Sequence, residues 1–131
     1  PLSGVGRRLS PDEFLWYRRS FTLRKQQKEQ RVLLHFGAVD QECAVFVNGK
    51  PAGEHTGGYL LTLDITDITE EASNELLVRV RDYSDTSCYS RGKQKLNKGG
   101  MFYTAQSGIW QTVWLELVPI PIFRRPFYAG L

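Results

Sequence analysis

The chain has 131 residues, of which 41% are hydrophobic, 12% aromatic and 24% charged, enough for one domain with one core and too little for two of ordinary size. Seventeen Lys and Arg against fourteen Asp and Glu leave a net charge of +3, spread along the chain, and this balance does not mark a nucleic-acid binder. The longest apolar stretches fall far short of the ~20 residues that a membrane-spanning helix needs.

The sequence starts at Pro1 with neither an initiator Met nor a charged-then-apolar leader, and so is expected to be a fragment, an excised piece or a processed product. Val, Leu, Phe, Tyr and Thr recur in short runs parted by Gly, Asn, Asp and Pro, and alternation prevails over helical spacing. About six strands are predicted. Leu15 to Leu23 puts Leu15, Tyr17, Phe21 and Leu23 on one face, and one of the adjacent Arg18 and Arg19 should turn inward to an acidic partner. Arg31 to Phe36 aligns Val32, Leu34 and Phe36. Cys43 to Val47 runs into Asn48-Gly49, the pair suited to positive φ at both central positions of a type I′ hairpin turn. The return strand, Lys50 to His55, contains Pro51 and belongs at a sheet edge.

Tyr59 to Leu63 forms the next strand, and acidic, Thr-rich Asp64 to Ser73 a short helical turn or capped loop. Glu75 to Asp82 alternates Leu76, Val78 and Val80 against Leu77, Arg79 and Arg81, the pattern of a half-buried strand. From Tyr83 to Gln106 no period holds, and a loop that long inside a compact domain is usually functional or disordered. Ile109 to Leu117 is the last strand, with Ile109, Val113, Leu115 and Leu117 inward and Trp110 and Trp114 outward. Pro119, Pro121 and Pro126 rule out a further central strand. The expected division is a β-sandwich over residues 1–119 and a linker or the start of another module over 120–131. Together the strands favour an all-β jelly-roll sandwich, with an open barrel as runner-up.

The chemistry-bearing residues are sparse. A glycosidase needs two carboxylates about 5 to 10 Å apart across a sugar bond, and no acid pair stands out as such. Asp82, Asp85, Glu70 and Glu71 read as solvated loop acids. His35 and His55 have no zinc spacing, no metal site or cofactor is expected, and neither Ser-Gly pair sits in a nucleophile elbow. Cys43 and Cys88 read as free thiols. The densest stretch is Arg91-Gly92-Lys93-Gln94, followed by Lys95, Lys98 and Phe102-Tyr103. Cationic donors, an amide and an aromatic face suit an acidic or sugar ligand and equally suit a solvated loop. Trp110 and Trp114 are a sugar platform or, more in keeping with packing, a docking face for a loop or neighbouring domain.

Four motifs in order resemble the N-terminal sugar-binding domain of glycoside hydrolase family 2, which includes β-galactosidases, β-glucuronidases and β-mannosidases. They are Trp16-Tyr17-Arg18-Arg19-Ser20-Phe21, Val45 to Gly49 with Gly53 to Tyr59, Asn74-Glu75-Leu76, and Ser107 to Glu116. The resemblance implies a galactose-binding-like jelly roll that precedes an immunoglobulin-like domain and a catalytic (β/α)8 barrel. Both catalytic glutamates belong to that barrel, so the chain alone is expected to be inactive. It also implies a role in shaping the substrate pocket, with Arg91, Lys93, Gln94 and Tyr103 as the candidate sugar contacts. Phe102 stands six positions before Gly108, where several members of the family carry an acid that reaches the sugar. The partners implied are a β-glycoside and the other domains of the enzyme, with a homo-oligomer allowed and neither nucleic acid nor membrane expected. An autonomous carbohydrate-binding module and a structural or oligomerisation domain remain as alternatives.

Overall fold

The computed structural model describes residues 6–120. Seven strands of six to ten residues build the frame: β1 (Leu15–Leu23), β2 (Arg31–Asp40), β3 (Glu42–Val47), β4 (Lys50–Thr56), β5 (Tyr59–Asp64), β6 (Ala72–Arg81) and β10 (Val113–Val118). Three two-residue pieces, β7 (Gln94–Lys95), β8 (Tyr103–Thr104) and β9 (Gly108–Ile109), lie between β6 and β10. One helix of four residues, α1 (Lys25–Lys28), was not foreseen, since one turn of Lys and Gln carries no periodicity to read.

One sheet has the order β1-β6-β3-β4, the other β10-β2-β5, and all these pairs are antiparallel. The faces that alternation assigned to the interior meet between the sheets. Val32, Leu34 and Phe36 of β2 pack with Val45 and Val47 of β3 and with Leu76, Val78 and Val80 of β6. The hairpin after β3 turns where expected, with Asn48 and Gly49 both at positive φ (51° and 74°), and β4, which carries Pro51, is an edge strand. β4 and β5 approach closely across the two sheets, because a Cβ on Gly53 would sit 2.6 Å from a methyl of Leu63. The two cysteines are free, and burial pushes the Cys43 thiol up to about 11, so it is no nucleophile at neutral pH.

Three expectations need correction. Arg19 keeps the core-facing register of β1, opposite Leu76, but stays exposed because β1 is an edge strand, and the arginine that meets an acid is the outward Arg18, which reaches Glu75 on β6 (Nε to Oε2 2.6 Å). The last strand is broken at Trp110–Thr112, where β2 passes from pairing with β9 to pairing with β10. Asp82 is not a solvated loop acid but is only 1% exposed. The linker expected over 120–131 lies, from residue 121 onward, outside the described residues.

One end of the sandwich is closed by asparagines. Asn48 takes the Glu75 amide on its side-chain oxygen (2.9 Å) and donates to the Ile68 carbonyl (3.0 Å) and to Asn74 Oδ1 (2.8 Å). Buried Asn74 in turn accepts from the Glu70 amide (2.7 Å) and donates to the Glu70 carbonyl (2.9 Å). Every side-chain atom of this clasp has a partner, which is what burial of an amide requires. The clasp ties the β3–β4 turn to the segment around the short 3-10 turn Thr66–Ile68.

Candidate functional site

The opposite end is where β2 turns into β3 and where β6 leaves the sheet for the 83–106 loop. Asp82 lies at the base of the loop. Its Oδ1 accepts from the Ser84 amide (2.6 Å) and its Oδ2 from the Ser107 hydroxyl, so one carboxylate joins the two ends of the excursion. Tyr17 secures the second end: its hydroxyl accepts from the Ile109 amide at 3.1 Å. Gly108 lies directly against that hydroxyl at φ 105°, and a Cβ there would run into it. The Ser107-Gly108-Ile109 motif is thus a fit between β1, β6 and the end of the loop.

The loop is ordered from its base outward. The Asp85 carboxylate takes the Leu96 amide (2.9 Å), and that bond is the first cause holding Asp85 below the usual carboxylate range. Gln94 exchanges both of its amide groups with the Gln106 backbone, at 3.2 and 2.8 Å. β7 and β8 pair in parallel, and Tyr103 N donates to Lys93 O at 2.9 Å. Lys95 lies 4.1 Å from the centre of the Phe102 ring.

The structure therefore separates the four candidate sugar contacts into two kinds. Gln94 is half-buried with its side chain committed to Gln106. Arg91, Lys93 and Tyr103 are exposed, with Arg91 reaching back only to the Ser87 carbonyl at 3.4 Å. Arg91, Lys93 and Tyr103 lie on one loop, and the Lys93–Tyr103 backbone bond brings its two arms together.

A further group beside the loop base was invisible in the sequence. Asp40 is half-buried at the end of β2, and burial together with the Asp82 charge pushes it up to about 6. Gln41 is 1% exposed, and its Oε1 accepts from Tyr83 N and Ser87 Oγ, both at 3.3 Å. Gln41 Nε2 and Ser84 Oγ are buried without a hydrogen-bond partner among the described residues. The one signal available was that Asp40-Gln41-Glu42 interrupts two apolar runs with no Gly or Pro to make the turn. Among the described residues no three His, Cys, Asp or Glu side chains come together to hold a metal ion.

Trp114 lies on the outer face of β10, opposite His35, and Trp110 in the break between β9 and β10. Trp114 stacks on His35 with ring centres 4.8 Å apart, and His35 is fixed by Thr62 Oγ1 (2.9 Å) and Glu116 Oε2 (3.0 Å). Trp110 meets the ring of Tyr59 edge-on at 5.5 Å.

The fold is a two-sheet antiparallel sandwich with one long, internally bonded loop at one end, on which Arg91, Lys93 and Tyr103 are exposed. The comparisons with known proteins name its kind. The family described as glycosyl hydrolases family 2, sugar binding domain, matches residues 9–119, and the chain belongs to it. A β-galactosidase of Thermoanaerobacter pseudethanolicus is 32% identical over 106 residues, 79% of this chain and 14% of that protein. The crystal structure of a Bacteroides uniformis β-glucuronidase aligns with a TM-score of 0.64 at 32% identity, over 79% of this chain and 12% of that one. A β-glucuronidase from an uncultured Clostridium aligns with the same TM-score at 29% identity, over 81% of this chain and 19% of that one. The chain thus corresponds to a sugar-binding domain that, in these relatives, is a small part of a longer enzyme.

Proposed function

We propose that this domain forms one wall of the substrate pocket of a family 2 glycosidase acting on β-glycosides, and that the catalytic pair is supplied by another domain of the same enzyme. The observation that supports this most directly is the construction of the 83–106 loop. Asp82, Asp85 and Gln94 each spend hydrogen-bonding capacity on holding the loop's own backbone or base, and Arg91, Lys93 and Tyr103 are left exposed on it. A preformed loop loses less conformational entropy when a sugar binds than a mobile one does. Arg91 and Lys93 supply donors to hydroxyl or carboxylate oxygens, and Tyr103 an aromatic face for the apolar side of a pyranose. Gln94 is a positioning residue, setting the loop through Gln106.

The test is steady-state kinetics of the enzyme that carries the domain. Replacing Arg91, Lys93 and Tyr103 together by Ala should lower kcat/KM about tenfold or more, mainly through KM, which is the signature of lost binding to ground and transition state alike. The thermal unfolding midpoint should stay unchanged. Wild-type kinetics from a fully folded variant would remove the loop from the substrate pocket.

A further inference from the structure

Charged residues are spread along the chain, but its net charge is not. Between Tyr83 and Gln106 stand Arg91, Lys93, Lys95 and Lys98 against one acid, Asp85, so this loop carries the whole net charge of +3 and the remainder of the chain sums to zero. After Asp85 no Asp or Glu occurs until Glu116. Elsewhere in the fold arginines meet acids: Arg7 pairs with Glu13, Arg18 with Glu75 and Arg31 with Asp64. Among the described residues none of the four loop cations makes an ion pair. The Asp85 carboxylate is bonded to the Leu96 amide instead.

Like charges gathered in one place repel and cost stability, yet the loop is built so that they cannot spread apart. The Lys93 and Lys95 carbonyls accept from the Tyr103 amide (2.9 Å) and the Ala105 amide (3.3 Å). Gln94, between them, is tied to Gln106, and the Lys95 ammonium lies 4.1 Å from the centre of the Phe102 ring. Neutral hydrogen bonds and one aromatic ring thus hold together cations that have no acid to neutralise them. The surface that results is complementary to oxyanions, since a guanidinium presents a planar fork to a carboxylate or sulfate and an ammonium a compact charge with three donors. Each exposed contact of this kind is weak alone, so recognition resides in the group of four and in the fixed path of the backbone. Four cations are fewer than the roughly six to ten phosphate contacts of a strongly salt-dependent nucleic-acid binder, and they suit a short ligand with a few negative groups.

From this placement of charge we infer that the 83–106 loop reads negative charge on its saccharide: the ligand is an anionic oligosaccharide whose carboxylate or sulfate groups are met by Arg91, Lys93 and Lys98, with Lys95 adding its charge from the Phe102 ring. The inference rests on the pocket-wall reading for the arrival of a saccharide at the loop, and it adds the charge of that saccharide. A neutral glycoside would use the same side chains as hydroxyl donors and gain nothing from the absence of acids between Asp85 and Glu116, whereas an anionic one gains from every unpaired cation.

The experiment titrates the 131-residue chain with hexasaccharides of hyaluronan, which bear carboxylates, and of chondroitin sulfate, which bear carboxylates and sulfates, following backbone amide signals by NMR. Cellohexaose is the neutral comparison, and hexathymidylate is a polyanion that is not a saccharide. The expected result is saturable shifts over residues 91–104 with a charged hexasaccharide, weakened as salt rises, and binding of cellohexaose weaker by about tenfold or more. Binding of both charged hexasaccharides assigns the carboxylate as the group read, and binding of chondroitin sulfate alone assigns the sulfate. The Arg91→Gln/Lys93→Gln/Lys98→Gln variant should lose about tenfold or more in affinity, and Lys50→Gln, at the opposite end of the sandwich, should bind as the wild type does. All four of these side chains are exposed, so the variants test recognition and not folding. Absence of saturable binding to both charged hexasaccharides by a chain with a dispersed spectrum overturns the inference. Cellohexaose or hexathymidylate binding as tightly as they do, or an equal loss in Lys50→Gln, overturns it as well. The two readings fail differently. A kinetic loss in the Ala variant proposed above on a neutral β-glycoside, without any binding of charged hexasaccharides, keeps the pocket wall and removes the charge reading, whereas charged hexasaccharide binding with wild-type kinetics in that variant keeps the charge reading and removes the wall.

Discussion

The two ends of the sandwich bury similar kinds of polar side chain and treat them in opposite ways. At the asparagine end, the side-chain groups of Asn48 and Asn74 all find backbone or amide partners within 3.0 Å. At the loop end, Gln41 and Ser84 each keep a buried polar atom without a partner among the described residues, and Asp40 lies close enough to Asp82 for its acidity to be altered. A satisfied network fixes a fold, whereas a buried polar atom without a protein partner costs stability. The asparagine end is a structural closure, and the loop end carries the segment proposed above to face the ligand.

The contrast can be broken most strongly at Gly108. Alanine there combines positive φ with a collision against the Tyr17 hydroxyl, and a loss of about 3 kcal/mol is expected. The loss should appear in urea unfolding, accompanied by loss of hydrogen-exchange protection at Ser107 and Ile109. Asn74→Ala should come next, at about 2 kcal/mol, because it strips partners from Glu70 and Asn48 in a buried setting. Its effect should be confined to stability, leaving the chemical shifts of the 83–106 loop in place.

The smallest effect distinguishes the ends by pH. Asp40 has a folded value of about 6 against an ordinary 3.8, so it favours the folded state fully below the ordinary value, and this contribution is lost as pH rises through 6. With solvent screening at a half-exposed site, the wild type should lose about 1 kcal/mol between pH 4 and pH 7 through this group. Asp40→Asn should flatten that slope, read as urea midpoints at the two pH values. Asp64, at the asparagine end, is shifted the other way: the Thr66 hydroxyl, then Arg31, hold its carboxyl below the usual range. Its contribution is present above the ordinary value and disappears only as pH falls through the lowered one, so the Asn variant should retain this acid-side loss.

The frame was legible because alternation is a local property. Val32, Leu34 and Phe36, or Leu76, Val78 and Val80, declare a buried face by spacing alone, and Asn48-Gly49 declares its turn by conformational preference. The site was legible only in part. Arg91-Gly92-Lys93-Gln94 stands out by composition, but that Gln94 would turn back onto Gln106, twelve residues away, depends on a loop path that no period encodes. Asp82 looked like any loop acid because its burial comes from Ser107, twenty-five residues downstream. The break at Trp110–Thr112 was likewise hidden, since both flanking segments keep the same inward and outward parity.

The tethering of the 83–106 loop also bears on how such a domain diversifies. Of the buried hydrophobic side chains, the loop supplies only Ala105, and it is held by polar ties at its base. Its replacement would leave the interface between the two sheets untouched, so insertions, deletions and wholesale exchange between Asp82 and Ser107 are tolerable as long as those two residues still meet. Selection can therefore rewrite what the loop presents without first securing a more stable scaffold, and related chains with the same strands are free to diverge in this segment.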